Sequence, residues 1–291
     1  MRRVGATATD RDAAGSVERS GASATDRQAV TGMVRQSRGA GGRRSEDGTV
    51  AVWWRYADHD RRGQARELLR SAAAEAVGAH PAEVRVGRAA SGAPELSGAA
   101  SGLLVGVSHT RGLVTVAVAG PGTGALGVGV DVEAVRPLDA LALAGRWFTA
   151  DEAAWVRALP PALRSAGLLD LWTRKEAAGK SLGTGLRGGG LRRPVGVPPP
   201  GTPPASPRPL TPLPGTDRLA GSVLPGPRGY VLACAVNGAG TPFPALVIRS
   251  ATPGPGPGPE PASGEEGPRP TDHPNSPPHR GESEPHAPAH C

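Results

Sequence analysis

"GTGALGVGVDVEAV", residues 122–135, is the stretch on which the fold turns. Gly122, Gly124 and Gly127 satisfy GxGxxG, which in a dinucleotide-binding fold closes a strand and opens a helix at the third glycine. The residues after Gly127 do not have a helical period. Val128, Val130 and Val132 fall on one side of a period-two pattern, and Gly129, Asp131 and Glu133 fall on the other. The spacing therefore predicts a strand over 126–135. The glycines before it belong to a turn, and a doubly wound nucleotide fold is not expected.

The same test extends in both directions. Strands are predicted at 50–54 ("VAVWW"), in "EVRVGRA", twice within 103–120 around a tight connection at 110–112, and at 229–236. Helices are predicted at 61–79, at 149–159 and at 164–183, the last ended by Gly183. Thr149 with Glu152 three residues on forms a capping-box pattern at the start of the second helix. The order points to an α+β fold of two similar halves, each a small, mostly antiparallel sheet packed with a helix. The halves are expected at 49–122 and 123–250, the second interrupted by a Pro-rich loop at 194–214. Polar residues 1–48 and the Pro/Gly-rich tail 251–291 read as disordered.

The chain has 291 residues, 33 Lys plus Arg, 26 Asp plus Glu and a net charge of +7. A basic balance suits a polyanionic partner, whether nucleic acid, an anionic cofactor or an acidic protein. The two cysteines form no CxxC pair, so a zinc site or disulfide framework is not expected. No apolar run reaches membrane-spanning length and no secretion signal is visible. A soluble cytoplasmic protein with no membrane partner is the expectation.

Only two of the basic residues are lysines, Lys175 and Lys180, and both lie in "LWTRKEAAGK", 171–180. In a composition that drifts from Lys toward Arg, this clustering points to sites where a compact charge is needed in place of a planar fork. Glu176 and Lys180 share a helix face with Trp172 one turn earlier. Glu176 is then a metal ligand or a base, with Lys180 aimed at a phosphate, unless the two form an ordinary surface pair. Lys175 lies about 100° round the helix and is placed at the rim of the same anion. Asp131 and Glu133, two apart on a strand, point to one face. Their like charges fit Mg²⁺, which takes oxygen ligands, or else a solvated strand surface. Ser108 and His109, at a strand end, can donate to phosphate oxygens or cap a turn. Neighbours on a strand point apart, so they are no nucleophilic dyad.

In order along the chain, "VSHT" (107–110), "GVGVDVE" (127–133) and "LWTRKEAAGKSLGTGL" (171–186) resemble the motifs of the 4′-phosphopantetheinyl transferases, in the larger, Sfp-type branch with two halves in one monomeric chain. "ARELLR", "RWFTADE" and "GYVLACAV" add to the resemblance, which covers about 49–240. It implies transfer of the phosphopantetheine arm of coenzyme A to a serine of a carrier protein of fatty acid, polyketide or nonribosomal peptide synthesis. Adenosine 3′,5′-bisphosphate would leave. It implies Mg²⁺ on Asp131, Glu133 and Glu176, catalysis by Glu176, Lys180 and Asp131, and coenzyme A contacts from Ser108, His109, Lys175, Lys180 and Arg66. Glu152 matches a further acidic position. One departure stands out: Ala93 occupies a position that is often basic in the family, and Arg88 is the candidate to replace that contact. Two other readings compete, a basic nucleic-acid-binding protein and a coenzyme A-binding protein without turnover. Against the first, the chain lacks interleaved aromatics and any helix–turn–helix or zinc spacing. Against the second, Asp131, Glu133, Glu176 and Lys180 are all intact.

Overall fold

In the computed structural model the elements are β1 (Arg35–Ser37), β2 (Thr49–Ala57), α1 (Arg61–Val77), β3 (Val84–Arg88), β4 (Pro94–Gly98), β5 (Leu104–Thr110), β6 (Gly112–Ala119), β7 (Gly127–Ala134), α2 (Ala140–Trp147), α3 (Ala150–Ala158), α4 (Arg164–Ser181), β8 (Thr211–Pro212), β9 (Leu219–Leu224), β10 (Tyr230–Asn237) and β11 (Ala245–Ser250). The structure describes residues 35–37, 48–187, 189–238 and 242–251. All of them fall in one compact unit, Met1–Pro253. Apart from 35–37, 48 and 251, the segments read as disordered, 1–48 and 251–291, lie outside the described residues.

Alternation along the strands builds the layers. In β2, Val50 and Val52 point to one face and Ala51 and Trp53 to the other. The second pair packs against Leu68, Leu69, Ala72 and Ala73 of α1. The first pair meets Val128, Val130 and Val132 of β7 and Leu232, Cys234 and Val236 of β10 in a shared core between two sheets. The opposite face of β10, Ala233 and Ala235, packs against Leu168, Leu171, Ala177 and Ala178 of α4. The order is helix, sheet, sheet, helix, an α+β architecture as the sequence predicts. Cys234 is fully buried and its thiol is pushed up to about 12 by desolvation, so it serves as a small apolar filler.

The first sheet has the order β1-β11-β2-β6-β5 and the second β7-β10-β9-β8, with β3-β4 a separate hairpin. The second sheet is antiparallel throughout. The first differs from the sequence expectation, because β11 runs parallel to both β2 and β1. This final strand lies in the first sheet, so a cut at 122/123 does not separate two continuous halves. The cause is burial: Leu246 and Ile248 of β11 join the inter-sheet core beside Val50 and Val52. The sequence reading also passed over β1, which falls in the segment read as disordered, and β4, α2, β8, β9 and β11.

Local signals account for the helix ends. The Asp60 side chain accepts from the Gly63 amide at the start of α1, and Gly78 closes that helix at φ 68°. Thr149 and Glu152 form the full reciprocal capping box on α3. Helix α4 runs against β7 with backbone nearly touching backbone. A methyl carbon on Gly129 would stand 2.6 Å from the Ser181 amide nitrogen and closer still to the Ala177 carbonyl. Here glycine is required for close approach, since its backbone is otherwise ordinary extended strand.

Candidate active site

Strand β5 is one edge of the first sheet and β7 one edge of the second. The two edges abut at Gly106, where an added methyl carbon would lie 3.1 Å from the Val130 nitrogen. This approach carries Ser108 of β5 onto Asp131 of β7. The Ser108 hydroxyl donates to Asp131 Oδ1 at 2.7 Å. Lys180 of α4 donates to the same oxygen at 2.7 Å, to Ser108 Oγ at 3.1 Å and to the Val130 carbonyl at 3.1 Å. Three elements far apart in sequence thus meet on one carboxylate.

Around this knot opens a cleft of about 1010 Å³ between the two sheets, α1 and α4. Asp131, Glu133 and Glu176 stand on one wall, while Arg62, Arg66 and Arg88 come from the α1 and β3 side. Trp172, Glu176 and Lys180 line it in steps of four along α4, as their helical spacing predicts. Ser108 and His109 line it too, and so does Ala93. Arg66 is steadied by donating to the Val86 carbonyl at 2.7 Å, and Arg88 by donating to the Gly92 carbonyl at 3.0 Å.

The electrostatics of the cleft follow from partial burial and crowding. Burial pushes the Glu176 carboxyl above its ordinary value, and the Asp131 charge adds to the push. Glu133 is raised for the same two reasons, opposed by Arg136. Asp131 is almost wholly buried, and desolvation raises it against the pull of Lys180. Desolvation lowers His109, helped by the charges of Arg61, Arg62 and Lys180, so it leans toward the neutral imidazole.

Several oxygen donors of the cleft are of the type a divalent cation takes. Asp131 Oδ2 is buried with no hydrogen-bond partner among the described residues. A buried carboxylate oxygen left bare in this way is costly, and a cation bound by oxygen ligands relieves it. Glu133 and Glu176 supply further oxygens in the same cleft. Among the described residues no three side chains converge into a ready-made cluster. The hydrogen bonds give the reason: Lys180 holds Asp131 Oδ1, and Glu133 pairs with Arg136 at 3.3 Å. The carboxylates are of the kind a hard cation takes, with Lys180 and Arg136 on two of their oxygens.

Lys175 corrects a sequence expectation, because it does not line the cleft. It is fully buried on another side of α4, paired with Glu152 at 2.7 Å, donating to the Arg193 carbonyl at 2.5 Å and lying 5.0 Å from the Phe148 ring centre. Glu152, whose second oxygen accepts from the Val195 amide at 2.9 Å, is 2 % exposed and outside the cleft as well. The 100° that separates Lys175 from Glu176 on the helix turns the lysine into the protein, where Glu152 compensates its charge. Sequence reasoning passed over Arg62, which lines the cleft one turn before Arg66. The i, i+4 spacing of the two arginines on α1 was the available signal.

Residues 127–210, from β7 through α4 into the Pro-rich segment, match the sequence profile of the 4′-phosphopantetheinyl transferase superfamily. This segment is what links the chain to that superfamily, whose description is of phosphopantetheinyl transfer. No curated protein matches the chain. Among the described residues no helix is long and apolar enough to cross a membrane.

Proposed function

We propose that this chain moves the phosphopantetheine arm of coenzyme A onto a serine of an acyl or peptidyl carrier protein, acting as a monomer of the larger, two-half branch. The observation that carries this reading is that carboxylates and arginines line one cleft. Asp131, Glu133 and Glu176 share it with Arg62, Arg66 and Arg88, and Lys180 pairs with Asp131. Such a site takes a polyanion on its arginines and has carboxylates available for a metal and a proton.

Asp131, Glu133 and Glu176 would hold Mg²⁺, which supplies charge neutralisation at the pyrophosphate. The chain's own residues do the rest. Arg62, Arg66 and Arg88 orient the nucleotide end of coenzyme A, and His109 offers a neutral nitrogen at the strand end. The carrier serine oxygen forms its bond to the β-phosphorus as the bond to the bridging oxygen breaks. Glu176 accepts the serine proton as general base. Lys180 stabilises the negative charge that collects on departing adenosine 3′,5′-bisphosphate.

The test is incubation of the full chain with coenzyme A, Mg²⁺ and a panel of apo carriers from fatty acid, polyketide and nonribosomal peptide synthases. The carrier mass should rise by one phosphopantetheine, and Glu176→Ala and Asp131→Ala should abolish the gain. Wild-type protein that shifts no carrier in the panel would defeat the reading.

A further inference from the structure

Asp170 of α4 has a fully buried side chain that no catalytic role uses. Arg174 donates to its Oδ1 at 3.1 Å, and Arg208 reaches both oxygens at 2.6 and 2.7 Å. The Ala205 amide donates to Oδ2 at 2.8 Å, on a residue held at φ 61°. Arg174 also donates to the Val195 carbonyl at 2.6 Å and the Gly196 carbonyl at 2.8 Å. Residues 194–208, read from the sequence as part of a Pro-rich loop, are therefore strapped to the back of α4 by one buried aspartate and two arginines.

The front of α4 meets β7 mainly through small residues. Ala177 and Ser181 lie backbone to backbone against Gly127 and Gly129, and the side chain that crosses from α4 to β7 there is Lys180 itself. Small residues permit close approach but do not fix rotation about the helix axis or sliding along it. Polar anchors can, because hydrogen bonds are directional. Arg174 lies about 200° round the helix from Glu176, almost opposite the cleft. A buried ion pair is a weak source of stability compared with apolar packing of the same volume. Arg208 Nη1 is in fact buried without a partner among the described residues. This cluster is better suited to fixing a geometry than to stabilising the fold.

We infer that Asp170, Arg174 and Arg208 form a positioning clamp, which sets the angular register of α4 and so aims Glu176 and Lys180 at Asp131. The clamp rests on the transferase reading of the cleft. None of its three residues lines that cleft.

The experiment compares wild type, Arg208→Gln and Arg208→Lys as full chains. It measures kcat and the coenzyme A KM separately with a carrier substrate, together with amide hydrogen exchange over α4 and 195–208. In Arg208→Gln, kcat falls about tenfold or more, since a misplacement near 1 Å can cost on the order of 100-fold. The coenzyme A KM stays within about threefold, α4 stays protected, and exchange quickens over 195–208. Arg208→Lys, which keeps the charge but not the fork, recovers part of the loss. Wild-type kcat in Arg208→Gln with a loosened 195–208 overturns the clamp. So does a kcat loss accompanied by lost protection throughout the chain. If Arg208→Gln does not fold, Arg208→Lys decides: lowered kcat at unchanged KM with α4 protected supports the clamp, and wild-type kcat overturns it. Wild type that transfers nothing defeats the transferase reading instead, while the exchange pattern still reports whether Arg208 holds the strap.

Discussion

Replacing Gly129 by alanine tests whether the spacing between β7 and α4 controls the site. The new methyl carbon would lie 2.6 Å from the Ser181 nitrogen, and nearer the Ala177 carbonyl, against ordinary contact at 3.4–4 Å. Both obstacles are helix backbone, which cannot turn aside as a flexible side chain can. Helix α4 must back away by on the order of 1 Å, with an overpacking cost of about 1–3 kcal/mol. That shift acts directly on the catalytic geometry. Lys180 sits one residue from Ser181 and reaches Asp131, two residues from Gly129, at 2.7 Å. The expected result is a folded protein with a melting temperature lower by about 2–12 °C. Phosphopantetheine transfer falls about 100-fold, mostly in kcat. Carrier mass spectrometry gives the rate and calorimetry the stability. A Gly129→Ala protein with wild-type rate and melting temperature would refute the close-approach reasoning.

Lys175 and Glu176 should respond differently to change. Lys175→Met leaves Glu152 buried without its cation and costs about 3–5 kcal/mol, which calorimetry should show as a large drop in melting temperature. Lys175→Arg is also expected to lower it, because a planar fork does not fit the enclosed site between Glu152 and Arg193; a wild-type melting temperature in both variants would contradict the pairing. Transfer by the wild type should decline once pH falls far enough to protonate Glu176, since protonation removes the acceptor, and a rate that holds level through acid inactivation of the carboxylate would contradict its role. Asp131, Glu133 and Glu176 all have raised pKa values in the folded state, so it holds more protons than the unfolded chain. Metal-free protein should therefore gain stability as pH falls from above those folded values toward the unfolded ones. Melting temperatures in chelator that fall steadily across this window would contradict the assigned shifts.

The parts of the site that share a strand or a helix turn were legible in the sequence. Period two put Asp131 and Glu133 on one face, and a spacing of four put Glu176 and Lys180 on another. The tertiary meeting of Ser108 with Asp131 was not legible, because it depends on two sheet edges closing over Gly106. Lys175 shows the limit most clearly. Its angle to Glu176 is fixed by helix geometry, but whether that angle leads to solvent or into the core depends on what packs there. The answer lay in Glu152, 23 residues away, whose role as a capping residue accounts for only part of its carboxylate. Asp170 and Arg208 were invisible for the same reason. Strand β11 was missed because its short apolar run follows a Pro-containing stretch with no periodic lead-in.

The place of β11 between β1 and β2 sets an order of assembly. Strands β2, β6 and β5 are made early and pair locally, yet β2 keeps an open edge until nearly two hundred residues more have been synthesised. Contacts of such sequence separation form slowly, and an unpaired strand edge is a template for wrong partners. A nascent chain of this protein therefore carries an open β2 edge until β11 emerges.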